Sequence, residues 1–331
     1  MAARTRYAPD RGLTVRMTAT MFLLGLVFVV FIAAIIGIGT AYGASSTAIV
    51  FFAVILGGGF AIGSLFYSDK IALATAGAHE VSADDPNDPD ARRLHAIVDR
   101  LCALADMPKP RVAIAETDMP NAFATGRNAD HAVVCATRGI LRRLENDELE
   151  GVLAHEMSHV AHKDVQVMTI ASFLAIIAAL LVRIAFYSEL FGGGRRNNDQ
   201  NALPIMLVLM VVSAVVYAIS FLLIRLLSRY RELSADRSGA LLTGRPSSLA
   251  AALVKVTGDI GRIPTKDLRT AQPLNAFFFA PAMSLHGHGG QRRNSKWANA
   301  FSTHPSLERR LEELDKIQQQ LGGTSSAGLE R

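Results

Sequence analysis

A run of 52 residues without a charged side chain, Met17–Ser68, is the feature that most constrains how this chain can fold. Only the small-residue stretch Tyr42–Ser46 interrupts its apolar character. Because a helix needs about 20 apolar residues to cross a bilayer, the run is long enough for two membrane spans joined by a tight turn. We predict these spans at Met17–Ala41 and Thr47–Tyr67. A cleaved signal peptide would have a shorter apolar core, and no second span would follow it at once.

Composition and charge agree with a membrane protein. Half of the residues are hydrophobic and only 19% are charged. The net charge of +5 could suggest a nucleic-acid partner, but the arginines lie beside apolar segments and form no single basic face with interleaved aromatic rings. We therefore predict no nucleic-acid partner, and a lipid bilayer around the apolar segments. Four arginines precede the first span and place the N-terminus in the cytoplasm by the positive-inside rule: Arg4, Arg6, Arg11 and Arg16.

Two more apolar segments lie in the second half of the chain. Val165–Val182 is uncharged, Arg183 interrupts it, and apolar character resumes to Phe186. Gln200–Ile224 then carries no charge over 25 residues. We predict a third and a fourth span here, about four in all; a hairpin that stays shallow or packs against the soluble part is the alternative for this pair. Three arginines follow the fourth span and again mark a cytoplasmic end: Arg225, Arg229 and Arg231.

Residues 69–164 have the patterns of a soluble α/β region. Ala91–Ala105 has helical periodicity, and three stretches with β-strand character follow it: Arg111–Glu116, Asn121–Gly126 and His131–Thr137. Residues 127–130, Arg-Asn-Ala-Asp, are typical of a turn between the last two. The strand that begins at Asn121 could form a sheet edge that pairs with an extended peptide; an ordinary strand within the sheet is the alternative.

The remainder of the chain, from Arg231 onwards, is predicted to be soluble and mostly helical. A Gly-, His- and Arg-rich stretch at Leu285–Ser295 interrupts it, Leu307–Leu321 has the pattern of a charged amphipathic helix, and Gly322–Arg331 is predicted to be a disordered tail. These patterns divide the chain into a membrane hairpin at residues 1–68, a first soluble part at 69–164, a second membrane hairpin at 165–227, a second soluble part at 228–321 and the tail at 322–331.

An H-E-x-x-H sequence, residues 155–159, lies near the end of the first soluble part, in a segment with helical periodicity that Asn146 is predicted to cap. On a helix, residues four apart lie on one face and about 6 Å apart along the axis, so two imidazoles can bind one ion. His155 and His159 are therefore candidate zinc ligands. Glu156 is the candidate general base, because its carboxylate can reach an open coordination position.

A catalytic zinc usually needs a third protein ligand. His162 lies seven positions from His155, about 10 Å along a straight helix, so it cannot join the pair and is predicted to be a surface histidine. Glu232 and Asp236 lie just past the fourth span and share a helix face, where one carboxylate can bind the metal and the other can hold a ligand imidazole. Spacing alone leaves an ordinary solvated face equally open.

Four motifs support a family resemblance when they are taken together and in order. They are Asn121-Ala122-Phe123-Ala124-Thr125-Gly126, the ten residues Glu150–His159, Arg231-Glu232-Leu233-Ser234-Ala235-Asp236, and Ser302-Thr303-His304-Pro305. In this combination the chain resembles the HtpX group of membrane zinc metalloproteases, which is related to the type I CAAX prenyl proteases. We therefore expect an α-helical membrane protein with a zincin-like α+β catalytic domain, about four transmembrane helices and a small β-sheet.

The resemblance also implies roles for individual residues. It implies one Zn²⁺ per chain, held by His155, His159 and Glu232, with Asp236 in contact with a ligand. It suggests that the strand formed by Asn121, Ala122, Phe123 and Ala124 holds the substrate backbone. It further suggests that His304 and Arg310 approach the active site, for which a loop-fixing His-Pro and a helix-surface arginine are the structural alternatives.

The function implied by the resemblance is an endopeptidase of the bacterial inner membrane that faces the cytoplasm and cleaves damaged or misassembled membrane proteins. Its zinc would lower the pKa of a bound water toward about 7, and Glu156 would receive the proton. A prenyl-protein endopeptidase would use the same site, but those relatives usually have more than four spans. A lipid-directed zinc hydrolase would share the metal. A non-catalytic zinc-dependent membrane scaffold would have no use for Glu156 and would close the fourth coordination position with protein.

Overall fold

The computed structural model describes residues 11–41, 59, 62–63, 65–172, 175–179, 202–260 and 304–326. Most of the predicted second span, the end of the third, the stretch Leu285–Ser295 and the last five residues lie outside this part of the chain. The chain divides into two compact units. The first consists of Met1–Leu13, Phe66–Val165 and Arg229–Arg331, and the second of Thr14–Leu65 and Gln166–Ser228.

Helices account for most of the described residues, and a few short strands lie between them. In chain order, the helices are α1 Arg11–Ala41, α2 Ser68–Ala76, α3 Pro89–Ala105, α4 Arg138–Arg143, α5 Asn146–Ala161, α6 Asp164–Ala179, α7 Ala202–Thr243, α8 Pro246–Ile260 and α9 Leu307–Ser326. The strands are β1 Ala78–Glu80, β2 Arg111–Ala115, β3 Ala122–Thr125 and β4 Val133–Thr137.

The second unit is built from the apolar helices. Gly12–Ala34 in α1 and Met210–Thr243 in α7 are long and apolar enough to cross a membrane. They overlap the first and fourth predicted spans, but the apolar helix segment in α7 continues to Thr243, whereas the fourth span was predicted to end at Ile224. Helix α6 meets that standard only together with α5, as one bent pair, so the count of four spans stays a prediction. Leu24, Phe31, Ile177 and Val216 form the core of this unit from all three helices.

The first unit contains a four-stranded mixed sheet in the order β1-β2-β4-β3. Strands β2 and β4 are parallel, and the two outer pairs are antiparallel. The three strands and the first helix predicted for residues 69–164 are confirmed, with ends that differ by one or two residues. Strand β1 was not predicted, because three residues are too few to establish a period.

Among the described residues, strand β3 lies at an edge of the sheet, and all of its residues except Ala124 are buried. Peptide pairing along this edge stays a prediction. The Thr137 N–H donates to the Asn121 carbonyl at 2.9 Å, so alternate residues from Asn121 onwards direct their backbone groups toward β4. Ala122 and Ala124 consequently direct their N–H and C=O groups away from the sheet. The side chains of these two residues lie on the face of β3 that packs against α5.

Helix α5 is enclosed by the rest of the unit. Every residue from Glu148 to Val160 is buried, and α5 packs against α8, β3 and α3. Its start corrects the prediction: Glu145, rather than Asn146, is the N-cap, and it forms a capping box with Glu148. The predicted acidic first turn is confirmed by Asp147 and Glu148. Because α5 is buried on all sides, its packing contacts with neighbouring elements stabilise it more than an amphipathic pattern of its own does.

Helix α9 also differs from its predicted length. It was expected at Leu307–Leu321 but continues to Ser326, so the tail predicted to be disordered from Gly322 starts as helix. Leu314 and Ile317 are buried in the main core, which anchors α9 against α8 in the first unit. The predicted amphipathic character of this helix is confirmed by that one-sided burial.

Candidate metal centre and active site

The two histidines of the H-E-x-x-H sequence converge as their spacing predicts. His155 and His159 lie on α5 with ring centroids 5.0 Å apart and the rings nearly perpendicular. Their exposed fractions are 1% and 8%, so both imidazoles are shielded from bulk water. Helix geometry alone accounts for this pair, because residues four apart share a face.

The third group comes from α7. Glu232 Oε2 lies 3.7 Å from His155 Nε2, and Glu232 Oε1 lies 3.5 Å from His159 Nε2. One ligand atom from each of the three residues lies within 4.8 Å of the other two, and no other such cluster of three ligand side chains occurs in the described part of the chain. Two imidazole nitrogens and one carboxylate are a donor set that suits zinc, so the residues present fit this metal.

The surroundings of Glu232 favour the ionised form of its carboxyl group. Burial raises its pKa, but the charge of His304 and the hydrogen bonds with His155 and His304 outweigh burial and hold the pKa well below its usual value. His304 Nδ1 lies 3.0 Å from Glu232 Oε2. The structure therefore brings His304 to the site by contact with a candidate ligand.

Asp236 holds His155 from the side opposite Glu232. Its Oδ1 lies 2.9 Å from His155 Nδ1, and both side chains are buried. Burial lowers the pKa of His155, but the hydrogen bond and charge of Asp236 raise it to about 9. Arg310 in turn donates to Asp236 from Nε at 2.8 Å and from Nη2 at 2.6 Å. Arg310 is fully buried and is therefore not a helix-surface arginine. It approaches the site by its contact with Asp236.

A second carboxylate holds the other histidine, and the sequence patterns did not predict it. His159 Nδ1 lies 2.5 Å from Asp164 Oδ2, and Asp164 Oδ2 lies 3.0 Å from Arg231 Nε. Burial raises the pKa of Asp164, but Arg231 and His159 outweigh it and lower the pKa. The sequence signal for Asp164 is an acidic residue five positions after the second histidine. Residues at this spacing do not lie on the same face of a continuous helix.

Glu156 lies at the same site and is buried. Burial raises the pKa of its carboxyl group, and the neighbouring His155 and His159 partly oppose the rise. The Ala124 N–H of β3 donates to Glu156 Oε2 at 3.3 Å. A carboxylate held in a poorly solvated position is a stronger base than one in water, which suits proton transfer.

The β3 residues singled out by sequence have different surroundings. The side chains of Ala122 and Ala124 pack on the α5 side of the sheet, and their backbone groups point away from β4. The Ala124 N–H already donates to Glu156. Phe123 packs on the opposite side, in a cluster with Ala72 and Cys135. Asn121 is buried, with its backbone paired to Thr137.

His162 does not join the three candidate ligands, in agreement with the prediction. It is half-buried rather than on the surface. It is the C-cap of α5, and its N–H donates to the Ser158 carbonyl at 2.9 Å. Burial lowers its pKa.

Helix α7 approaches α5 very closely at Gly239. A Cβ atom added to Gly239 would lie 2.8 Å from the backbone nitrogen of His155 and 3.1 Å from the carbonyl carbon of Ala154. No side chain fits there without separating the helices. The same face of α7 carries Glu232 and Asp236, so this close approach sets how far their carboxylates reach.

We expect the substitution Gly239→Ala to lower both stability and metal content. Overpacking of this kind costs about 1–3 kcal/mol, and the separated helices would carry Glu232 away from the histidines. Gly258→Ala is the matched control, because a Cβ added there meets nothing within 4 Å; it should be neutral or stabilising by about 0.5–1 kcal/mol. Thermal unfolding and metal analysis in detergent measure both effects. Full metal content and wild-type unfolding of Gly239→Ala would contradict the assigned role.

Known proteins with similar sequences were found over nearly the whole chain. Residues 88–318 match the profile of peptidase family M48. The chain is 56% identical over 325 residues to protease HtpX homolog 1 of Streptomyces coelicolor, which covers 98% of this chain and 99% of that protein. It is 47% identical over 319 residues to the protease HtpX homolog of Moorella thermoacetica, which covers 96% of this chain and 98% of that protein.

A solved structure is also similar. It is the crystal structure of Ste24p from S. mikatae, which matches with a TM-score of 0.49 and 15% sequence identity over 92% of this chain and 66% of that chain.

Proposed function

The chain belongs to peptidase family M48 and is a membrane metalloprotease, and from that premise we propose that it is a zinc endopeptidase that cleaves damaged or misassembled membrane proteins on the cytoplasmic side of the membrane. The observation that carries the proposal is the convergence of three ligand atoms beside a buried glutamate and an edge strand. We propose His155, His159 and Glu232 as the zinc ligands, with one zinc per chain.

The chemistry follows from the groups at this site. Bound zinc supplies Lewis acidity that activates a water molecule and polarises the peptide carbonyl. Glu156 accepts the proton of the attacking water and delivers it to the leaving amine. Its buried carboxylate suits this role because little solvent has to be displaced as charge moves. The hydrogen bond from the Ala124 N–H orients the carboxylate for the transfer.

Edge strand β3 is the proposed binding surface for the substrate backbone. The outward C=O of Ala124, the one residue of β3 that is partly exposed, can pair with an extended peptide in the manner of an added strand. Asn121 supports β3 from within the fold, since its backbone is paired to Thr137, and Phe123 anchors β3 in the core.

His304 and Arg310 are proposed to act in different ways. His304 contacts Glu232 while 10% of its side chain stays exposed, so it can also reach a substrate group that develops negative charge. Arg310 is fully buried on Asp236 and fixes that carboxylate, which in turn fixes His155. Arg310 is therefore a positioning residue.

Zinc removal and restoration test the proposal. The full-length protein in detergent should contain about one zinc per chain and should cleave an unfolded membrane protein. A chelator should abolish cleavage, and added zinc should restore it, because the ligands remain in place. A prenylated peptide and a lipid ester serve as competing substrates. Preferred cleavage of either, or protein cleavage that survives complete zinc removal, would overturn the proposal.

We also propose that the chain crosses the cell's inner membrane several times, with the first unit in the cytoplasm. The proposal rests on the arginines that precede the first apolar segment and follow the fourth. It is supported by two helices that are long and apolar enough to cross a membrane.

Cysteine labelling in intact cells tests this orientation. Asp130 is exposed in the first unit, so Asp130→Cys should resist a membrane-impermeant reagent added from outside. Ser46→Cys, between the first two predicted spans, should react. The native thiols give little background because both are buried, and burial raises the pKa of Cys102 to about 11 and of Cys135 to about 12. Labelling of Asp130→Cys from outside would reverse the orientation.

A further inference from the structure

Each of the two candidate ligand histidines lies against its own carboxylate–arginine pair. His155 contacts Asp236, which binds Arg310, and His159 contacts Asp164, which binds Arg231. The pair behind His159 is well shielded from water: Asp164 is 2% exposed, and the Arg231 side chain is 12% exposed. The arrangement behind His159 therefore matches the one behind His155, although no sequence motif pointed to it.

The geometry of Asp164 constrains the chemistry of His159. When Nδ1 carries the proton and donates it to Asp164 Oδ2 at 2.5 Å, the lone pair of His159 is on Nε2. Nε2 is the atom that faces Glu232 Oε1 at 3.5 Å. Asp164 thus selects the tautomer and ring orientation that a metal shared with Glu232 requires.

A backbone reversal makes this contact possible. Asp164 is five positions after His159, and on a continuous helix its side chain would lie about 140° round the axis from the histidine. Helix α5 instead ends at Ala161, and Lys163 has a positive φ of 57°. Its N–H donates to the Val160 carbonyl at 3.0 Å. A positive φ is uncommon for a residue other than glycine, and here it turns the chain so that Asp164 faces back toward His159.

Arg231 completes the arrangement from α7. It directly precedes Glu232, so a single turn of α7 presents both a candidate ligand and the cation that holds Asp164. About one turn further along, the same helix presents Asp236 to the other histidine. The position of α7 against α5 therefore determines the orientation of both imidazoles as well as the place of the third ligand.

We infer that Asp164 and Arg231 are positioning residues for the metal: they hold His159 in its ligand orientation. Arg231 acts mainly through Asp164, because its Nε lies 3.0 Å from Asp164 Oδ2 whereas its Nη2 lies 3.5 Å from His159 Nδ1. This inference rests on the proposed zinc site and adds a second anchor to it. A carboxylate that holds a ligand imidazole typically changes metal affinity by about 10- to 100-fold. The expected consequence is slow release of metal in the wild type and faster release when the anchor is removed.

The test measures metal release from full-length protein in detergent, with excess chromophoric chelator. Asp164→Asn keeps the side-chain shape but removes the charge, and it should release zinc about 10- to 100-fold faster than the wild type. Arg231→Gln should also release zinc faster, and the double variant should be no worse than Asp164→Asn, because Arg231 acts through Asp164. Saturating zinc should restore cleavage with an unchanged KM.

Controls separate positioning from general destabilisation. Glu150→Gln removes the charge of another buried carboxylate of α5, whose Oε1 lies 3.2 Å from Nε of Arg100. This variant should release zinc at the wild-type rate. The thermal midpoints of the metal-free proteins are compared in parallel. If Asp164→Asn does not fold, Arg231→Gln supplies the same test.

Two results have distinct meanings. Wild-type release rates in both Asp164→Asn and Arg231→Gln would overturn the inference and leave the zinc site intact. A wild-type protein that binds no zinc at all would instead overturn the proposed function, on which the inference rests.

Discussion

Glu156→Gln is expected to abolish peptide cleavage and to leave metal content and fold unchanged. Glutamine has nearly the size of glutamate, and its side-chain oxygen can still accept the hydrogen bond from the Ala124 N–H. It cannot accept a proton from water at neutral pH, so the general-base contribution of about 10²- to 10⁴-fold is lost. The effect should appear in kcat, because the substitution alters neither the ligands nor the edge strand.

The measurement compares cleavage, zinc content and thermal unfolding for wild type and variant in the same detergent. Glu150→Gln is the matched control: it makes the same chemical change on the same buried helix, but at a carboxylate paired with Arg100. It should retain cleavage. Near wild-type turnover of Glu156→Gln would remove Glu156 from the reaction, and loss of its metal would mean that the residue supports the ligands instead.

Glu232→Gln is expected to lose the metal and, with it, cleavage. The Glu232 carboxylate is held ionised by His304 and His155, and its two oxygens face the Nε2 atoms of the histidine pair. A neutral amide is a poorer zinc ligand than a carboxylate, so zinc should fall to background levels after dialysis and cleavage should fall with it. This variant differs in kind from Glu156→Gln, which should stay fully loaded.

Asp236→Asn provides the graded comparison for Glu232→Gln. Asp236 contacts His155 but is not one of the three converging ligands, so its loss should weaken zinc binding by about 10- to 100-fold rather than abolish it. Added zinc should restore cleavage in Asp236→Asn and not in Glu232→Gln. If Glu232→Gln lost cleavage but kept its zinc, the roles assigned to the two glutamates would have to be exchanged.

The local features of the site were predictable from sequence because they depend on one helix at a time. The spacing of His155 and His159 determines that their side chains share a face, whatever surrounds the helix. The uncharged run of the first half likewise predicts a helix that can cross a membrane, because the bilayer acts on composition and length. Four motifs in order were enough to predict the family, and the comparisons confirm it.

The sequence indicated less about how the elements meet. From the sequence alone, the helix face that carries Glu232 and Asp236 could equally have been solvated. The strand that begins at Asn121 could have been an edge strand or an inner strand of the sheet. The sequence missed Asp164 altogether. The predicted N-cap of α5 lies one residue late, because asparagine is a preferred N-cap residue and only the reciprocal bonds of the capping box identify Glu145.

The sequence by itself determined the membrane character of the chain, the histidine pair and the identity of the candidate base, since each depends on composition or on contacts within one turn of helix. Only the tertiary structure decided which carboxylate meets which imidazole. His159 and Arg231 are 72 positions apart, and their proximity depends on the packing of α7 against α5 at Gly239 and on the chain reversal at Lys163. Such contacts depend on packing between distant segments, for which a single sequence contains no periodic signal.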